Sequence, residues 1–106
     1  VLGFTCYGLH PLTKGVYDLY WIAVDPKVQG QGIGQALMTQ TELEVARRGG
    51  RKLLVETSST PAYAPARRLY ERCGYQLEAV VHDFYAISDD LLIYSKRLEA
   101  RAQEAA

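Results

Sequence analysis

Few residues here are of the kinds that declare a function on their own. There are only two cysteines, Cys6 and Cys73, and two histidines, His10 and His82. That is no disulfide framework, so a reducing cytoplasm is the expected setting. It is also no metal-ligand cluster, and no metal is expected. Charge of one sign is missing as well. Twelve basic and twelve acidic residues leave a formal net charge of zero, which speaks against a nucleic-acid surface. No apolar run approaches the ~20 residues of a membrane helix, and no signal-peptide pattern is present. Methionine occurs once, and not at the start: the chain opens in Val-Leu-Gly-Phe-Thr-Cys-Tyr, already a strand pattern. The expectation is therefore a single domain over residues 1–98 whose N-terminal portion is missing, with residues 99–106 as a frayed tail.

What is present alternates between two periods. Leu2, Phe4 and Cys6 alternate with Gly3, Thr5 and Tyr7, so residues 1–7 read as a half-buried strand. Residues 8–15 read as a loop. Residues 16–24 are β-branched and aromatic and form a second strand antiparallel to the first, with Asp18, Tyr20, Ile22 and Val24 on one face. Pro26 ends it. A helix is expected over about residues 32–48, with Ile33, Leu37, Thr41 and Val45 as its buried stripe and Gly49-Gly50 as its stop. Residues 52–57 form a third strand, parallel to the second because a helix intervenes. A second helix runs to about Cys73, with Ala66, Leu69, Tyr70 and Cys73 on one face and Gly74 beyond its end. Residues 75–81 and 91–98 complete the strands, and residues 82–90 read as a polar loop carrying Phe84 and Tyr85. Both cysteines are expected to be buried thiols.

The chemistry concentrates where the second strand meets the first helix. Gln29-Gly30-Gln31-Gly32-Ile33-Gly34 puts three glycines into five positions. Backbone stripped of side chains at a helix mouth is an anion site, suited to a phosphate or a pyrophosphate. The dinucleotide spacing G-x-G-x-x-G fails because residue 35 is Gln35, and the Walker loop fails because Gly34 is followed by Gln35 and Ala36.

The order strand, Q-x-x-G-x-G, helix, strand, helix, strand, strand resembles the GNAT superfamily of acyl-CoA-dependent N-acyltransferases. Ile22-Ala23-Val24-Asp25-Pro26 matches that family's run into its coenzyme A pyrophosphate loop, and Leu69-Tyr70-Glu71-Arg72-Cys73-Gly74-Tyr75 matches its second signature. The resemblance implies an α+β (mixed α/β) fold, a mixed sheet with helices packed on its faces. It implies acetyl-CoA as cofactor and direct transfer of the acetyl group to a primary amine in a ternary complex. The loop amides of residues 29–34 would take the pyrophosphate, with Lys27 as an added cation. The strand around Ile22, Ala23 and Val24 would hold the pantetheine arm and polarise the thioester carbonyl. Tyr70 would be the acid that protonates the leaving thiolate, besides touching the cofactor. Tyr63 stands where many members carry a CoA-contacting asparagine.

A general base is also needed, because an unperturbed amine with pKa about 10.4 is almost wholly protonated at neutral pH. Asp18, at the position of a catalytic glutamate in the histone-acetylating members, and Glu56, near the end of the third strand, are the candidates. Phe84 and Tyr85 are candidates for the wall of an acceptor pocket. The acceptor is a small-molecule or peptide amine, and a homodimer through exposed strand edges stays open. The rival reading is a non-catalytic acyl-CoA-binding module, or a truncated domain without activity.

Overall fold

The computed structural model describes residues 3–98; the expectations for Val1, Leu2 and the tail from residue 99 fall outside them. Five strands form one sheet, in the order β1-β2-β3-β5-β4. β1 (Gly3–Leu9) pairs antiparallel with β2 (Val16–Val24), and β3 (Lys52–Ser58) runs parallel to β2, as their connections require. β4 (Gln76–Ala86) and β5 (Asp89–Arg97) form an antiparallel hairpin on the far side of β3. Helix α1 (Ile33–Arg47) connects β2 to β3, and α2 (Ala64–Arg72) follows a short 3-10 turn over Pro61–Tyr63. The helices stop where the glycines predict: Gly49 and Gly74 take φ of +86° and +91°, a region that only glycine enters without strain.

Both helices pack on the same face of the sheet. A single buried cluster joins Met38 and Val45 of α1, Tyr70 of α2 and the strand residues Leu19, Leu53, Val55 and Tyr94. The stripe that α1 buries is Met38, Thr41, Val45 and Ala46; Ile33 and Leu37 are only half-buried at its edge. Thr41 is tolerated in the core because its hydroxyl bonds the Leu37 carbonyl (2.7 Å) and meets the Thr5 hydroxyl on β1 (2.7 Å). The inward face of β1 is thus Gly3, Thr5 and Tyr7, while Phe4 and Cys6 stand exposed on the uncovered face. The expectation of a buried Cys6 is corrected accordingly: period two places it, but the helices lie on the other side.

Two further corrections arise from irregular pairing. Between β1 and β2 the register passes from Cys6↔Trp21 to Tyr7↔Leu19, so Tyr20 is an extra residue on β2. Such a bulge reverses the alternation. Tyr17 and Leu19 before it and Ile22 and Val24 after it share the helix-covered face, rather than Asp18, Tyr20, Ile22 and Val24 forming one set. The second correction is the 82–90 segment, which is not a loop. β4 runs on to Ala86, and a two-residue turn at Ile87-Ser88 leads directly into β5. Its polar residues satisfy a bulged backbone: the Asp83 amide donates to Asp90 (2.9 Å), and the Ser88 amide donates to Asp83 (2.7 Å).

Candidate active site

Parallel pairing between β2 and β3 covers only Val16↔Lys52 through Leu19↔Val55. Beyond it the strands part. The bulge at Tyr20 lies immediately after the last paired residue, so the same extra residue that turns the side chains also opens the fork. Residues 20–24 of β2 therefore present an unpaired edge to the fork, the arrangement an extended ligand arm can join as a strand would.

The glycine loop lies past the tip of that edge. Asp25 caps the short 3-10 turn Pro26–Val28 by accepting from the Lys27 amide (2.9 Å), and the Gln29 side chain bonds the Val24 carbonyl (3.4 Å). From there the backbone is bare. Gly30 and Gly32 hold φ of +84° and +79°, and a Cβ built on either would meet nothing within 4 Å. Their requirement is thus conformational, with open space above each. Gly34 is different: a Cβ there would stand 3.1 Å from Leu69 of α2, so this glycine lets the two helices approach. Gly32 is the N-cap of α1 and supplies no side-chain cap. The first helical bond runs from the Ala36 amide to the Gly32 carbonyl (3.1 Å). Among the described residues the amides of residues 29–35 have no acceptor, which leaves a cradle of donors at the positive end of a helix.

A groove of about 510 Å3 runs along this cradle, lined by Ile22 and Val24, the loop, and the Pro65-Ala66-Leu69-Arg72 face of α2. Of the residues expected at the cofactor, Ile22, Val24, Gln29, Gly30, Gly32, Ile33 and Gly34 line it. Gln31 contributes its place in the loop, and Ala23 alternates to the other face. Tyr63 and Tyr70 do not line it; Tyr63 is half-exposed at the start of α2, close enough to Tyr85 to affect that phenol. Lys27 is exposed outside the groove. The cationic side chain that reaches it is Arg72, which the sequence reading passed over, though the 65, 66, 69, 72 spacing puts it on the groove-facing side of α2. The cluster Arg47, Arg48, Arg51, Lys52 sits at the opposite end of α1, engaged by Glu44, Tyr7, the Lys14 carbonyl and Glu78.

Tyr70 is on the buried stripe of α2, with its ring against Tyr75 and Tyr94 at 6.2 Å each. Burial pushes its phenol above the ordinary tyrosine range. Among the described residues its hydroxyl has no hydrogen-bond partner and is not a sealed unpaired atom, so it opens to a surface. The neighbouring phenols are engaged: Tyr75 donates to Glu42 (2.8 Å) and Tyr94 to Glu71 (3.3 Å). Tyr70 is therefore the member of this trio with a proton to spare.

On the uncovered face, at the fork, a second cavity of about 320 Å3 is lined by Asp18, Tyr20, Trp21, Leu54, Glu56 and Tyr85. The structure thus brings both candidate carboxylates and one of the two candidate wall aromatics together; Phe84 packs edge-on against Tyr85 at 5.0 Å. Asp18 has its pKa raised by burial, an effect partly offset by His10, whose Nε2 lies 4.0 Å away. Glu56 is exposed, and it is the first residue of β3 past the last pair with β2. No group of three or more His, Cys, Asp or Glu side chains able to hold a metal occurs among the described residues.

A forked mixed sheet, an uncapped glycine-rich helix mouth and an unpaired edge between them make up one continuous site. The family described as "Acetyltransferase (GNAT) domain" matches residues 1–77, and the chain belongs to it. The chain is 37% identical over 81 residues to the [ribosomal protein bS18]-alanine N-acetyltransferase of Escherichia coli, covering 74% of this chain and 53% of that protein. A solved structure described as a GNAT-family acetyltransferase from Desulfovibrio desulfuricans superposes with a TM-score of 0.90 at 48% identity, over 92% of this chain and 62% of that one. The fold is shared, at TM-score 0.77 and 20% identity, with a Salmonella typhimurium protein solved with its cofactor acetyl-CoA, over 92% of this chain and 58% of that one. The chain thus spans about half the length of the curated relatives it matches.

The residues present fit coenzyme A. Open space over Gly30 and Gly32 leaves room for a diphosphate against the free amides, and the unpaired β2 edge continues from it toward the fork.

Proposed function

We propose that the protein is an acetyl-CoA-dependent N-acetyltransferase acting on a primary amine in a ternary complex. The observation that carries this is the continuity of the donor cradle at residues 29–35, the free β2 edge and the carboxylate-lined cavity at the fork. Acetyl-CoA, when bound, supplies the activated thioester. The protein's own groups do the rest. The loop amides and Arg72 hold the diphosphate end, and the edge at residues 20–24 orients the arm, with a strand amide at its fork end donating to the thioester carbonyl. Glu56 takes one proton from the acceptor ammonium, directly or through a water. Tyr70 would give its phenol proton to the leaving thiolate as the amine nitrogen displaces it from the acetyl carbon, and would regain a proton through water from that nitrogen. The two unpaired cysteines fit a cytoplasmic site for this reaction.

The test is release of free CoA thiol in the presence of acetyl-CoA and amines. Tyr70→Phe should keep cofactor affinity while lowering turnover by about 10² or more. Acetyl-CoA that binds but is never consumed with any amine would favour a binding module instead.

A further inference from the structure

The cavity at the fork carries more negative charge than a single reacting amine needs. Asp18 pairs with Leu54 across β2 and β3, so Glu56 lies on the same face, one strand over and two residues on. Strand spacing and rise place their Cα atoms about 8 Å apart. Among the described residues no lysine or arginine lines the cavity. Charges facing it come from every surrounding element. β2 supplies Asp18 and β3 supplies Glu56. Asp89 of the β4–β5 hairpin does not line the cavity; it accepts from the Ser58 hydroxyl and, after burial and Glu56, helps to raise the Tyr85 phenol. The loop after β1 supplies His10, half-exposed beside Asp18. Lys52 shares the face but lies four residues back along β3, bound to Glu78 at 2.8 Å.

The walls carry a separate signal. Tyr20, Trp21 and Tyr85 line this cavity and remain 56%, 66% and 49% exposed. Aromatic faces beside carboxylates bind organic cations. The cavity, at about 320 Å3, is at the small end of ligand pockets, which suits a small molecule.

We infer that the acceptor is a small diamine or polyamine: the amine that reacts lies at Glu56, and a second ammonium is held by Asp18 against the Tyr20 and Trp21 rings. This rests on the transferase reading above. The second ammonium keeps its protons throughout, and its role is to orient the first.

The test uses the full chain with acetyl-CoA and three acceptors: 1,5-diaminopentane, pentylamine and 5-aminopentanoate. They share the reacting end and differ at the other, which is cationic, neutral or anionic. The expected kcat/KM falls in that order, with about tenfold or more between diamine and pentylamine. Asp18→Asn should cut the diamine-to-pentylamine ratio to about two, the statistical factor for two identical ends, and Asp18→Glu should retain part of the preference. Equal kcat/KM for the three amines, or an unchanged ratio in Asp18→Asn, overturns the inference. If no amine releases CoA, the transferase reading fails, and calorimetry on CoA-saturated protein decides the inference separately. Diamine binding that exceeds pentylamine binding and is lost in Asp18→Asn upholds it; equal binding overturns it.

Discussion

Gly32 and Gly49 bracket α1 and offer a matched pair of perturbations. Both hold φ near +80°, and a Cβ on either would meet nothing within 4 Å. Alanine at either position therefore costs backbone strain alone, about 1–2 kcal/mol. For a domain of about this size that lowers Tm by roughly 5–15 °C, equally in both variants. Function should separate them. Gly49 ends the helix some 22 Å from the loop, by the rise of its fifteen residues. Gly32 lies inside the cradle of free amides, where an added methyl stands over the donors and a shift to negative φ turns one away. One hydrogen bond to a charged acceptor contributes about 1.5–3 kcal/mol, so Gly32→Ala should raise the acetyl-CoA Kd about 10- to 100-fold. Gly49→Ala should leave it within about twofold. Thermal melts establish equal strain, and calorimetric titration at a temperature where both variants are folded reads the affinity. Equal Kd values in two equally destabilised variants would refute the assignment of the loop as the diphosphate site.

Other outcomes follow from the same geometry. Tyr70→Phe removes a hydroxyl with no protein partner, so Tm should stay within a few degrees while kcat falls. A large drop in Tm would mean the hydroxyl has a structural bond. Glu56→Gln should lower kcat/KM about 10²- to 10⁴-fold near neutral pH, and the loss should shrink as alkaline pH supplies free amine; a pH-independent loss would exclude the base role. Glu42 accepts from both Tyr75 (2.8 Å) and Lys96 (2.9 Å), so Glu42→Ala should destabilise by about 2–4 kcal/mol in a urea titration, and a change below about 0.5 kcal/mol would contradict this. Asp90 has its pKa lowered, first by the Asp83 amide and then by His82. A depressed carboxylate stabilises the fold above its unfolded pKa of about 3.9 and loses that contribution as pH falls through the folded value. Asp90→Asn should therefore flatten the acid limb of stability below about pH 4, and an acid limb identical to the parent's would contradict this.

The parts of the site that were legible in the sequence are those written locally. Gly30 and Gly32 are needed for a backbone conformation that their own residues adopt, and the helix mouth follows directly from the strand-to-helix change of period. The stop signals at Gly49 and Gly74 are local for the same reason. Gly34 was legible only as a glycine: its cause is Leu69, thirty-five positions on in α2. The bulge at Tyr20 was hidden because it exists only relative to β1, which has one residue fewer over the same span. With it went the side-chain faces of β2 and the position of the fork. Composition misled at residues 82–90, where Asp83 and Asp90 looked like loop residues but bond the bulged strand's own amides. It misled again at Phe4 and Cys6, apolar side chains that lie on the sheet face opposite the two helices. Arg72 was missed because the motif around it was read for Tyr70 alone.

The central claim is that free main-chain amides at residues 29–35 grip a diphosphate while the unpaired edge of β2 carries the arm toward the fork. Amide-resolved NMR titration with acetyl-CoA tests it most directly. Large, saturable shifts should appear at residues 29–36 and 20–24, with amides around Gly49 and in the β4–β5 turn unmoved. Saturation of binding with the residue 29–36 amides unshifted would contradict the account.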